Sequence, residues 1–148
     1  MPFSEAITND LVALSPSQTV TSGTAATTTP VGIPHMMNGL LLVLDVTAAA
    51  AAVGDTFDVK VQALIEGTPA AGTWSDVIHF TQVLGNGSAK RFIAKIVGAT
   101  AVTAYLDAAL AAANQKDIFG DYYRVNYTVV DGGAHGQSFT FAVWALPF

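Results

Sequence analysis

Three histidines, His35, His79 and His135, are the side chains best suited to proton transfer or metal ligation in this chain. A metal ion could recruit all three, but no two stand at the spacing by which a helix or hairpin aims ligands at one ion. His35 falls in a proline-flanked loop, His79 in mid-strand and His135 in a glycine-rich turn. Ordinary surface or hydrogen-bonded histidines explain all three, and no metal or other cofactor is expected. Serine-based hydrolysis needs a nucleophile on a strained turn beside a base. The nearest approach is His135 followed by Gly136-Gln137-Ser138, which a turn leading into a strand explains equally well. The acidic pairs Asp55/Asp58 and Asp117/Asp121 lack the spaced carboxylates of a calcium loop. Gly85-Asn86-Gly87 lacks the lysine and the following helix of a phosphate loop and reads as a turn. No base, nucleophile and orienting group can be placed together, so the expectation is a protein that is not an enzyme.

Two tryptophans offer binding chemistry instead. Trp74, in Gly72-Thr73-Trp74-Ser75-Asp76, stands at the start of a strand. With Tyr122 or Tyr123 it could stack on sugar rings, although plugging one end of a sheet sandwich is the favoured role. Trp144 lies opposite the Phe139/Phe141/Val143 face if its strand alternates. It either contacts a neighbouring subunit or is covered by the chain's own N-terminal residues.

Composition narrows the classes further. The chain has 148 residues, enough to bury a real core as one domain. Only 11% of residues are charged against 51% hydrophobic, so the surface is unusually neutral and part of it is expected to be covered by protein. The net charge of -5 and the absence of a basic stripe argue against nucleic acid. There is no cysteine. The N-terminus shows no signal-peptide pattern. The most apolar run, Leu40 to Val53, is shorter than a membrane span, which needs about 20 residues, so no membrane is expected.

Positioning such residues falls to strands. Thr56–Ile65 alternates strictly, with Phe57, Val59, Val61 and Ala63 on one face and Asp58, Lys60 and Gln62 on the other. Leu40–Thr47 reads as a central strand. Val77–Val83, Lys90–Val97, Tyr122–Val130 and Ser138–Ala145 complete the set. A loop at 66–73 joins Thr56–Ile65 to Val77–Val83. Val77–Val83 and Lys90–Val97 suggest a hairpin through Gly85-Asn86-Gly87, and the last two strands a second hairpin. Ala101–Gln115 is the one plausible helix, with a strand over 100–106 and an Ala-rich loop as the alternative. No charge occurs from Leu11 to Leu44, where Pro16, Pro30 and Pro34 favour extended structure. The expectation is all-β: an antiparallel β-sandwich or jelly-roll-like barrel over 40–148, an extended N-terminal arm over 1–39, and one short helix or Ala-rich loop.

The strand Thr56–Ala63, then GTWSDVIHFTQ, then RVNYTVV and SFTFAV together resemble small β-sandwich structural proteins of tailed bacteriophages, over roughly residues 40–145. The nearest kind is the head decoration, or cement, protein. The resemblance implies homotrimers on the outer capsid surface, made in the host cytoplasm and bound to the major capsid protein, with an arm reaching over a neighbour. A neck or tail component, or a carbohydrate-binding module, are the alternatives. Leu11, Val12, Leu14, Val20, Val31 and Ile33 are the expected arm contacts. Met36, Met37, Trp144 and Phe148 are the expected interface anchors. On this view, removing residues 1–35 abolishes assembly and leaves the sandwich folded.

Overall fold

Period-two alternation, carried by nearly every apolar segment, decides the architecture. The computed structural model describes residues 11–21, 24–33, 39–49, 53–97, 107–132 and 138–148. It is all-β, with no helix among the described residues. The strands are β1 (Val12–Thr21), β2 (Ala25–Thr27), β3 (Val31–Gly32), β4 (Gly39–Ala48), β5 (Thr56–Glu66), β6 (Thr73–His79), β7 (Val83–Leu84), β8 (Lys90–Val97), β9 (Asn114–Gln115), β10 (Tyr122–Val130) and β11 (Ser138–Pro147). They form two antiparallel sheets packed face to face as a β-sandwich. The small sheet runs β1-β11-β4-β8. The large sheet runs β2-β10-β5-β6-β9, with β3 added to β10 and β7 to β5.

The inward faces follow the alternation. Phe57, Val59, Val61 and Ala63 of β5 are buried, as are Tyr123, Val125, Tyr127 and Val129 of β10. Leu40, Leu42, Leu44 and Val46 of β4 face them with Phe139, Phe141, Val143 and Ala145 of β11. Phe57 bridges the layers, stacked on Phe139 at 5.0 Å and edge-on to Phe141 at 4.8 Å. Tyr127 meets Phe141 edge-on at 5.3 Å. Such aromatic pairs contribute about 1 kcal/mol each beyond the area they bury.

Both expected hairpins give way to crossovers. β6 and β7 belong to the large sheet and β8 to the small one, so Gly85-Asn86-Gly87 carries the chain between layers. Asn86 takes up the left-handed turn conformation at φ 59°. β10 and β11 likewise lie in different sheets. Near that crossing Gly132 is forced, because a Cβ there would stand 2.2 Å from the Gly54 carbonyl carbon. Asp55 Oδ1 accepts the Gly132 N–H at 2.8 Å and fastens the two loops together. The strand expected over Val77–Val83 is β6 followed by the short β7.

The uncharged N-terminal stretch belongs to the sandwich itself. β1 pairs with β11 at one edge of the small sheet, and β2 and β3 pair with β10 at the edge of the large one. The chain thereby crosses from layer to layer and closes one side of the sandwich. Leu14, Val20 and Ile33 are buried in the common core. Val129 N–H donates to the Thr24 carbonyl at 2.7 Å, and Val125 N–H to Thr28 Oγ1 at 2.9 Å. Pro16, which has no N–H to give a ladder, sits where the β1 register shifts between Ser15 and Gln18. A charge at the buried positions Leu14, Ser15, Val20 or Ile33 would have to be desolvated, while the outward positions of the stretch are neutral without being buried. The sequence-based boundary at residue 39 therefore does not divide the described chain.

Removing residues 1–35 is accordingly expected to unfold the domain, contrary to the separate-arm expectation. Leu14→Ala is expected to cost about 3 kcal/mol, by the usual cost of a buried leucine cavity. Urea unfolding followed by tryptophan fluorescence checks both; an unchanged midpoint for Leu14→Ala would refute the burial argument.

Candidate functional site

The outward residues of β5 are Asp58, Lys60 and Gln62, and on their face the large sheet gathers most of the chain's polar chemistry. β6 brings Trp74, Asp76 and His79 beside them, and β10 brings Arg124. Asp76 is the hub, its side chain only 4% exposed. Its Oδ2 accepts from Lys60 Nζ at 3.1 Å and from the Leu110 N–H at 2.9 Å, and its Oδ1 accepts from Gln62 Nε2 at 2.8 Å. Burial pushes the Asp76 carboxyl up. The bonds from Gln62, the Leu110 N–H and Lys60, with the Lys60 charge, outweigh it and hold the pKa below the ordinary value of 3.8. Gln62 Oε1 in turn accepts from Arg124 Nε at 2.9 Å, and the Arg124 guanidinium lies 4.5 Å over the Trp74 ring.

The Ala-rich residues 107–113 pack over this ladder as a loop, where the sequence suggests a helix over 101–115; residues 101–106 lie outside the described residues. Their backbone groups are claimed by the sheet. The Leu110 carbonyl meets His79 Nδ1 at 2.8 Å, and the Ala113 N–H donates to the His79 carbonyl at 2.8 Å. The Ala108 carbonyl accepts from Lys116 Nζ at 2.9 Å. Ala113 has φ 65°, which no continuing right-handed helix permits. Tertiary hydrogen bonds have displaced the intrahelical ones, overriding alanine's propensity.

Two groupings have the residue types of catalysis. His79 Nε2 lies 3.0 Å from Asp58 Oδ1, whose other oxygen accepts from Gln82 Nε2 at 2.8 Å. Both ring nitrogens of His79 thus face acceptors, which leaves none turned to solvent as a base. Ser75 Oγ–H donates to Asp107 Oδ1 at 2.6 Å and accepts from Lys116 Nζ at 3.2 Å. Lys116 is buried, and its ammonium is shared among Ser75, Asp107 and the Ala108 carbonyl. The Ser75 hydroxyl and Lys116 hold the Asp107 carboxyl below the usual carboxylate range. A nucleophilic serine needs a neighbour free to take its proton. Here the hydroxyl donates to a carboxylate that Lys116 also pairs and whose lowered pKa makes it a weak base. The arrangement ties the loop to the sheet. Among the described residues, no three His, Asp or Glu side chains converge as a metal site would require.

The sequence-derived positions separate. Tyr123, considered for stacking, is wholly buried, and its hydroxyl accepts the Gly120 N–H at 3.0 Å, so its ring meets no ligand. Tyr122 is exposed and lies against Gly32, while Trp74 is half-buried under Arg124, so the three make no common platform. Leu14, Val20 and Ile33 serve the chain's own core, not a neighbour's surface; Val12 and Val31 pack partly against that core. Met36 and Met37, with His35 and His135, lie outside the described residues.

Leu11, Trp144 and Phe148 do face outward, and with them stand residues that were not singled out. The outer face of the small sheet carries a cross-strand row of Ala13, Trp144, Val43 and Ile93. A second row holds Leu146, Leu41 and Lys95. Ile93 is 64% exposed, Phe148 50% and Val97 41%. Two cations lie on its rings, Arg91 5.5 Å from Trp144 and Lys95 5.6 Å from Phe148. The signal was available: placing Phe92, Ala94 and Ile96 inward puts Ile93, Lys95 and Val97 outward. Comparison with protein-family models, with curated proteins and with solved structures finds no match.

Asp76→Ala removes three hydrogen bonds and strands Lys60; a loss of about 3 kcal/mol is expected in chemical denaturation. Because its folded pKa is depressed, the wild-type contribution is full above pH 3.8 and fades as pH falls through the lower folded value. The variant's acid-unfolding curve should lack that component. Superimposable acid limbs in the two proteins would count against the hub role.

Proposed function

We propose that this chain is a structural, assembly-forming protein, a head decoration protein of the tailed-phage kind that bridges capsomers on the outside of a capsid. Its partners would be further copies of itself, as a trimer, and the major capsid protein. The observation that supports this reading is the outer face of the small sheet. A single sheet face presents Ile93, Val97, Phe148, Leu41, Leu146 and Trp144 in contiguous rows. Apolar surface so grouped marks a protein contact more often than it marks solvent-facing sheet. The polar groups of the large sheet, by contrast, are engaged with one another.

The mechanism is mechanical. A folded sandwich lays this face across a junction, and the removal of apolar area from water resists separation of the parts beneath it, by about 25 cal/mol per Å² before ordering costs. No step of bond making is involved.

Light scattering on a sizing column should return a stable species of three times 15.3 kDa. A larger closed ring would move the assignment to a neck or tail component. A monomer at every concentration from micromolar to millimolar would sink self-assembly. Soluble glycans should leave tryptophan fluorescence unchanged; saturable quenching would restore the sugar-binding alternative through Trp74.

A further inference from the structure

The charges of this protein are sorted by sheet. Of its six basic residues, Lys60, Lys116 and Arg124 are engaged on the large sheet, as described above. The other three, Lys90, Arg91 and Lys95, all stand on β8. β1 and β11 carry no charge, and β4 only Asp45, which accepts from Arg91 Nη2 at 3.1 Å. Every other acidic residue among those described lies on the large sheet or in the loops that enter and leave it. Arg91 and Lys95 stand on the outer face with Ile93 and Val97, while Lys90 falls on the other side of β8, so with Asp45 counted the outer face is apolar and net positive on a protein of net charge -5.

A two-fold contact of the face with itself would bring these cations no free acidic partner, because Asp45, the one acidic residue on the strands of the face, is already paired with Arg91. The pattern favours a surface that is apolar and acidic, and the same chain offers one. Where β5 ends and the chain enters β10, a cleft of about 310 Å³ is lined by Leu64, Ile65, Glu66, Pro69, Asp121 and Tyr122. Ile65 and Tyr122 are exposed at it. Its counterpart lies at the β8 end of the small sheet. There Phe148 pairs with Gly39 through two backbone hydrogen bonds of 2.9 and 3.0 Å, its ring lying over Gly39. Val97 flanks it and the Lys95 ammonium lies above it. The patch and the cleft belong to different sheets, and no small-sheet residue lines the cleft.

We infer that copies of this chain associate head to tail, the Lys95–Val97–Phe148 patch of one copy seating against the Ile65–Glu66–Tyr122 cleft of the next. The inference rests on the assembly reading above and specifies its contact. Heterologous contacts of this kind close into rings when the rotation between copies closes, so they are compatible with a trimer. Opposite charges around the apolar centre set orientation and make association salt-sensitive.

The test uses the full chain with Lys95→Glu, Glu66→Lys and the double variant carrying both. Each side chain is exposed, so thermal unfolding should match wild type and folding is not at issue. Each single variant is expected to raise the dissociation constant about tenfold or more in sedimentation velocity, and the double variant to recover most of the loss. Singles that associate as wild type overturn the head-to-tail contact and leave assembly standing. Singles that fail without recovery in the double also overturn it, and direct attention to an acidic surface on a different protein. A wild-type chain that never associates removes the assembly reading and this contact together.

Discussion

Phe57 lies between the two sheets, stacked on Phe139 and edge-on to Phe141, and the rest of the sandwich is arranged around that contact. It joins the middle strand of the large sheet to β11 of the small one, and Tyr127 extends it to β10. Aromatic rings in such a contact fix the spacing of the layers, because dense packing leaves neither sheet room to slide. With the layers fixed, the chain can change sheet repeatedly: between β1 and β2, β3 and β4, β4 and β5, β7 and β8, β8 and β9, and β10 and β11. These crossings leave the open sides of the sandwich to be closed, and the N-terminal strands close one of them. Burial against both sheets accounts for the neutrality of the inward positions of these strands, such as Leu14 and Val20.

The two outer faces solve the solvent problem differently. On the large sheet, Asp76, Lys60, Gln62, Arg124, Asp58 and His79 form a continuous ladder, and the Ala-rich loop is held to it by its own backbone groups. A buried carboxylate is tolerable only when its oxygens are occupied, and Asp76 has three donors. The same hydrogen bonds that stabilise this face engage its polar side chains with one another. The small sheet has no such ladder, and its outer residues are mostly apolar. Polar pairing on one side and apolar exposure on the other are properties of one chain with few charges, most of them committed to one layer.

Much of this was legible in the sequence, and the parts that were not have a common cause. Strict alternation in Thr56–Ile65, Tyr122–Val130 and Ser138–Ala145 identified strands and their inward faces, because period two needs no tertiary information. The layer each strand joins is non-local. A Gly-Asn-Gly turn serves a hairpin and a crossover equally well, so the pairing of β8 with β4, not with β6, left no mark in the loop. The alanines at 108–113 have helical propensity, but the donors and acceptors that take their backbone groups, Asp76, His79 and Lys116, lie far off in sequence or beyond the segment's end. Leu14 and Val20 look the same whether they cover their own core or a neighbour's, and only the β1–β11 register decides it. For the outer face, Trp144 and Phe148 were readable as outward. Ile93, Lys95 and Val97 were readable by the same rule but look unremarkable until β4 sets them beside Leu41 and Val43.

The position of β8 explains how such a face coexists with a stable, separate chain. It is an edge strand, bonded on one side to β4, and edges of this kind invite indiscriminate pairing unless charge interrupts them. Lys90, Arg91 and Lys95 supply that interruption, and Gln115 Nε2 donates to the Lys95 carbonyl at 3.0 Å, occupying part of the open edge. Arg91 and Lys95 then fold back over Trp144 and Phe148, shading the rings while keeping their charged ends in water. A contact made through sheet-edge hydrogen bonds would have to displace these cations and gain nothing from them. A contact made through the outer face can retain the apolar rows and use the cations as orienting charges. For the assembly proposed above, the distribution of residues on β8 therefore favours the face over the edge as the contact.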